Sequence, residues 1–260
     1  MSMALALRRR SLAGVWLRHA VVLLRTWRVA ITWFFVEPVF VLVAIGFGIG
    51  RMVGGEKVDG ALAYALFVTP GVIIGTAMFH SIFECAWSAF QRVQQGLYET
   101  MLTTPLTLPE LVCGEILWGT TRAAISTFAV GGFALVIGWL PLAAAPGVLA
   151  ASLLVGILFA EIGLLFTALA PNMSALSLVF TLVATPLYFF CGAFFPIAVL
   201  PGWLQPVAWA APLTSAVHLA RGFTEGALDR THVWATLYLV VLIAVLFPIV
   251  EALLRRRLIK

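Results

Sequence analysis

Charge is what this sequence has least of. Sixteen Lys/Arg and eleven Asp/Glu are all it carries in 260 residues, 10% of the chain, whereas 62% is apolar. A water-soluble domain carries about a quarter charged residues, so a soluble enzyme is excluded. Cysteine is nearly absent as well. Cys85, Cys113 and Cys191 stand singly with no CxxC, which leaves neither a disulfide framework nor a zinc site. The four histidines, His19, His80, His218 and His232, fall in four different segments without an HExxH, so no metal site is expected. No GxSxG is present for a serine hydrolase, and no catalytic residue is expected. The run GRMVGGEK at 50–57 comes near a phosphate-binding loop, but Glu56 stands where lysine is needed, Val58 follows Lys57, and no strand precedes it. The chain is therefore expected to bind no ATP and no other cofactor of its own.

What the sequence has instead is long apolar runs. A membrane helix needs about 20 mostly apolar residues. Segments at about 29–50, 61–84, 147–170, 174–195 and 234–254 meet this, and 117–140 does so despite Arg122. The expected fold is an all-α integral membrane domain of six transmembrane helices spanning 1–260. The excess of basic residues sits at the ends, with Arg8–Arg10 and Arg255–Arg257, a placement that suits a membrane surface and not a nucleic acid. Six spans put both termini on one side, and eleven basic residues then face the cytoplasm against four (Arg51, Lys57, Arg221, Arg230) facing outward. Residues 11–28 read as an interfacial helix, with Leu12, Trp16, Ala20, Leu23 and Trp27 on one side and Arg18, Arg25 and Arg28 on another. Segment 196–232 is broken by Pro201, Pro206 and Pro212 and reads as re-entrant or interfacial helices on the outer side. The inner stretch 85–116 reads as a helix end, a turn at Thr103–Pro109 and the start of the next span.

Ionisable residues in a membrane tend to face a partner or a cavity. Glu37, Arg122 and Glu161 lie inside apolar stretches. Two readings fit Glu37: it lines a substrate path, or it is a structural tie to Arg122 or to backbone freed before Pro38. Glu161 carries the same pair of readings. Gly71 and Gly75 form a GxxxG suited to close helix packing.

Several motifs carry a resemblance to a known family. These are the Glu37–Pro38 pair opening FVEPVFVLVAIGFGIG, the run YETMLTTPLTLPELVCGEILWG at 98–119, FTALAP at 166–171, CGAFFPIAVLPGWLQPVAWAAPLTSAVHLARG at 191–222 and the ending EALLRRRLIK. In that order they resemble the ABC-2 type export permeases, and within them the lipo-oligosaccharide, nodulation-factor subfamily. The resemblance implies a homodimer in a bacterial inner membrane that works with two copies of a separate ATPase, which holds the ATP and Mg. It implies that the segment 91–115 couples to that ATPase through Tyr98, Glu99, Met101, Thr103, Thr104 and Pro105. It also implies a substrate path at the dimer interface, past Phe34, Glu37, Phe40, Val41, Phe79, Phe83, Pro186, Tyr188 and Phe190. An apolar, aromatic path suits an amphiphilic substrate with a lipid tail. Export of a hydrophobic drug or another polysaccharide is the nearest alternative, and a membrane transferase or a secondary carrier is more remote.

Overall fold

The computed structural model describes residues 2–54 and 58–258. Glu56 and Lys57 of the phosphate-loop-like run, and the side chains of Arg8–Arg10 and Leu12, lie outside what it describes. Every regular element among the described residues is a helix. In chain order they are α1 (Ser2–Arg25), α2 (Trp27–Met52), α3 (Leu62–Gln94), α4 (Leu97–Leu102), α5 (Leu108–Val136), α6 (Ala145–Leu169), α7 (Met173–Phe190), α8 (Gln205–Ala210), α9 (Pro212–Glu225) and α10 (Arg230–Leu258). Five of them, α2, α3, α6, α7 and α10, belong to stretches long and apolar enough to cross a membrane. The sixth expected run lies on α5, which packs between α3 and α6 but also carries Thr120, Thr121, Arg122, Ser126 and Thr127.

Small residues set the centre of the bundle. A Cβ placed on Gly119 of α5 would come within 2.7 Å of the Cys85 sulfur on α3 and 3.0 Å of Ala160 on α6. Gly163 of α6 meets the Ile82 carbonyl in the same way, and Gly156 meets Thr120. Ser81 Oγ donates to the Gly156 carbonyl at 2.6 Å, across the α3–α6 contact. Backbones this close gain dispersion along their whole length, the main attraction between helices in lipid.

The sequence places an interfacial helix at 11–28. The structure ends it at Arg25, where the Thr26 hydroxyl turns back onto the Val22 carbonyl at 2.9 Å. Trp27 and Arg28 therefore open α2 and do not belong to the α1 stripe. The buried side of α1 is Val15 and His19, seated on Gly114 and Trp118 of α5. Leu17, Val22 and Leu24 face away from the bundle.

At the far end from α1, α7 stops at Phe190, five residues before the expected end of that span. Gly192 takes a positive φ of 80° there and turns the chain. The broken stretch that follows is held by Arg221 of α9. Its Nη2 donates to the carbonyls of Gly192 (3.0 Å) and Phe67 (3.3 Å), and its guanidinium lies 3.9 Å from the Phe67 ring centroid. Irregular backbone at membrane depth survives only where protein groups cover it, and this arginine supplies a donor to the turn at Gly192 while tying it to α3 at Phe67.

Candidate transport cleft and coupling network

Proline removes a backbone donor and crowds the carbonyl four residues back. Pro38 on α2 and Pro186 on α7 are each preceded by a π-helical stretch, Thr32–Val36 and Phe180–Ala184. A third such stretch, Glu84–Ser88, interrupts α3. Wide turns of this kind rotate the side chains that follow, and they recur at functional sites. The first two contribute Trp33 and Phe180 to the wall of a cleft of about 480 Å³, and the third begins one residue after Phe83 of that wall. The cleft wall is Trp33, Glu37, Pro38 and Val41 from α2, Thr76, Phe79, His80 and Phe83 from α3, Arg122 from α5, and Phe180 and Tyr188 from α7. The wall is mostly apolar and carries five aromatic rings, with an acid, an imidazole and a guanidinium set into it.

Packing fixes these groups. The Tyr188 ring occupies the space that a Cβ on Gly75 would need, and Ala193 sits against Gly71, so the GxxxG of α3 is used within the chain. Tyr188 meets Phe79 edge-on at 5.2 Å and Phe194 at 4.9 Å. Phe83 stacks on Trp33 (6.1 Å) and Trp87 (5.7 Å). Behind the wall, buried Phe34 stacks on His80 at 4.6 Å and receives the Arg122 guanidinium on its face at 4.8 Å.

Arg122 leads out of the cleft into a chain of buried charges. Its Nη1 lies 3.1 Å from Glu84 Oε2. Arg92 Nη1 donates to Glu84 Oε1 at 2.9 Å, and its Nη2 donates to Glu115 Oε2 at 2.7 Å. His19 Nε2 of α1 meets Glu115 Oε1 at 3.0 Å, and Arg92 Nε donates to the Tyr98 hydroxyl of α4 at 3.3 Å. The spacing on each helix makes this possible: Glu84 and Arg92 are eight apart on α3, and Glu115 and Arg122 seven apart on α5, so each pair shares a face. Glu84 and Glu115 are 6% and 1% exposed at the side chain and Arg92 11%, so removing one partner leaves a buried ion behind, a loss of about 3–5 kcal/mol.

The segment expected to couple to an ATPase divides into an inner and an outer side. Tyr98 is 1% exposed and packs in the small core formed by α1, α3, α5, α6 and α10, where burial pushes its phenol well above the usual range. The resemblance placed it among the ATPase contacts, whereas the structure turns it into the inner core. Met101 is half-buried against the same core, whereas Glu99, Thr103, Thr104 and Pro105 are exposed. Gly96, with φ 67°, makes the turn between α3 and α4, and Thr107 with Glu110 closes a capping box at the start of α5.

Of the residues expected along the substrate path, the cleft gathers Glu37, Val41, Phe79, Phe83 and Tyr188, with Phe34 directly behind them. Phe40, Pro186 and Phe190 do not line it. The expected tie between Glu37 and Arg122 is corrected. Both line the cleft, but the ion partner of Arg122 is Glu84, while Glu37 is exposed on the cleft wall. Glu161 makes no ion pair among the described residues, and its buried Oε2 has no hydrogen-bond partner. Glu84, Arg92, Glu115 and His19 went unread because the sequence assigns them to a span end, an inner loop and the interfacial helix. The signal was the eight-residue interval from Glu84 to Arg92, which is informative once α3 is known to continue to Gln94.

Helices of membrane-spanning length around a lined cleft, with a buried ionic chain leading to a short helix at one end, define a multi-pass membrane transport subunit. The chain belongs to the ABC-2 type transporter family, whose model matches residues 11–223. It is 37% identical over 228 residues to nodulation protein J of Rhizobium leguminosarum bv. viciae, covering 86% of each chain. It is 35% identical over 254 residues to nodulation protein J of R. leguminosarum bv. trifolii, covering 95% of this chain and 94% of that one. The inner membrane transport permease YadH of Escherichia coli is 26% identical over 221 residues, 84% and 83% of the two chains. Permeases of this family are generally paired with a separate ATPase subunit.

Proposed function

We propose that this chain is the membrane half of an exporter for a lipid-tailed oligosaccharide of the nodulation-factor kind, working as a homodimer in a bacterial inner membrane with two copies of an ATPase that holds ATP and Mg. The chain crosses the bilayer six times in this reading, with both termini and α4 in the cytoplasm and α8–α9 on the outer side. It has no ATP site of its own. The observation that carries the proposal is the single path from Tyr98 on α4 through Arg92 and Glu84 to Arg122 in the cleft wall. A displacement of α4 by the ATPase reaches the cleft through buried ions, whose short contacts tolerate little stretch.

The cleft chemistry fits an amphiphile. Aromatic rings accept an acyl chain, and Glu37, His80 and Arg122 offer a hydroxyl-rich glycan an acceptor and donors. The similarity to nodulation protein J over nearly the whole chain favours an acylated oligosaccharide over a drug.

The test is export from proteoliposomes. Purified with its ATPase, the chain is expected to move a fluorescent acylated chito-oligosaccharide only with ATP, and to lose most of that flux in Glu37→Gln at unchanged thermal stability. Transport without any ATPase would overturn the proposal. A Glu37→Gln variant that melts earlier but exports normally would return Glu37 to a packing role.

A further inference from the structure

The far end of the bundle holds a cluster that the transport reading does not use. His218 lies on α9, Asp229 immediately precedes α10, and His232 lies in its first turn. We propose that these three residues form a binding site for a divalent transition-metal ion of the zinc class. The proposal is independent of what the cleft carries.

The three residues offer ligand atoms that all lie within 4.8 Å of one another. Asp229 Oδ1 and His232 Nδ1 are 2.8 Å apart. The two imidazoles stack at 4.2 Å, inclined by 10°, although they stand fourteen positions apart in the chain. The sequence reads these histidines as belonging to separate segments, and the α9–α10 turn brings them together.

Ordinary helix capping explains part of the cluster. Asp229 accepts from the backbone N–H of Thr231 (2.9 Å) and of His232 (3.4 Å). In return the Asp229 N–H donates to His232 Nδ1 at 3.1 Å. That last bond needs a bare Nδ1, and a bare Nδ1 then sets its lone pair against a carboxylate oxygen 2.8 Å away. The carboxylate does not need a proton on Nδ1, because Oδ1 also accepts from the Thr231 hydroxyl at 2.5 Å. What stays unrelieved while Nδ1 is bare is the close contact of two electron-rich atoms, and a cation beside Nδ1 and the carboxylate relieves it.

The donor set selects the ion. Two imidazoles and one carboxylate match zinc-class metals, and they suit calcium or magnesium poorly, since those require mainly oxygen ligands. Three protein ligands leave a fourth position for water, the open arrangement of many zinc sites. Zinc–nitrogen bonds of about 2.0–2.1 Å put tetrahedral ligand atoms roughly 3.3 Å apart, so the Asp229 carboxylate must draw back slightly from Nδ1 and His218 must swing toward both. It is free to do so. His218 is half-buried, its Nε2 is held only by the Thr231 hydroxyl at 2.9 Å, and it lines an open pocket of about 330 Å³ that gives an ion access. Arg221 lines the same pocket and disfavours a cation there, but its Nη2 is already committed to two carbonyls. His232 is 7% exposed and packed on Gly222, so one ligand is rigid and the exposed Asp229 is not. A bound ion would fasten α9 to the start of α10 and brace the broken outer segment against the last helix.

The test uses the full chain in detergent, purified on a tag without histidine and stripped with chelator. Titration with zinc is expected to show one saturable site per chain and a rise in melting temperature, and cobalt substitution should give a visible d–d spectrum of a low-coordinate site. His218→Ala and Asp229→Asn each remove a direct ligand and should weaken binding by at least the roughly 10–100-fold that loss of an outer-shell partner costs. Asn caps a helix as well as Asp does, so Asp229→Asn keeps the fold while removing the charged ligand. Absence of saturable zinc binding, or equal binding in both variants, would overturn the site.

Discussion

Arg92 uses its guanidinium in a way that lysine could not copy. One arm reaches Glu84, the other Glu115, and Nε reaches the Tyr98 hydroxyl, so a planar fork joins two helices and the coupling segment at once. Arg92→Met is expected to leave two buried carboxylates without their main partner and to lower the melting temperature by on the order of 10 °C. Pairing it with Glu115→Gln should recover part of that loss, because neighbours in one ionic network are not additive. A calorimetric or fluorescence melt decides it, and an unshifted single variant would show that the network carries no energy. Glu84 and Arg92 become legible as a pair from their interval once α3 is known to run on to Gln94. No interval in the sequence points to His19 facing Glu115, since 96 positions separate them and only the docking of α1 on α5 joins them.

At the level of elements, α4 is anchored on one side and exposed on the other, which suits the lever role proposed for it. Tyr98 and Met101 grip the inner core, while Glu99, Thr103, Thr104 and Pro105 face outward. Glu99→Ala and Thr104→Ala remove exposed groups and should change stability by less than about 0.5 kcal/mol. They should nonetheless cut ATP-driven export several-fold while basal hydrolysis by the partner continues. Normal export in both variants would move the docking surface elsewhere. The sequence pattern read this stretch as the end of the preceding helix before the Thr103–Pro109 turn, and the structure makes it a separate helix by turning the chain at Gly96. The pattern did not reveal which side of the helix turns inward. Tyr98 is buried because its hydroxyl has the Arg92 Nε to bond with, and a phenol with a partner can be taken out of water. The π-helical stretches before Pro38 and Pro186 were likewise half legible: each proline announces a local defect, but not that both defects open on one cleft.

For the molecule as a whole, coverage is uneven. The apolar windows of α3 and α6 are each 61% buried, against 22% for α2 and 17% for α7 and α10. Phe40, Leu178 and Leu182 accordingly project from α2 and α7 beside the cleft, 69%, 61% and 69% exposed. Lipid covers part of such a surface, and in the proposed homodimer a second copy covers the rest and closes the cleft. Light scattering with detergent subtracted is expected to give twice the 28.1 kDa of one chain. A monomer that still exports with its ATPase would place the substrate path inside a single bundle. The sequence by itself determined that this is a helical membrane protein, because scarce charge and 62% apolar residues leave no stable alternative, and its ordered motifs pointed to the export permeases. Only the tertiary structure decided the ionic partners, the inward face of α4 and the meeting of His218 with Asp229 and His232. Hydrophobicity accumulates along the chain and can be read there, whereas a hydrogen bond between helices depends on rotation and register that packing alone sets.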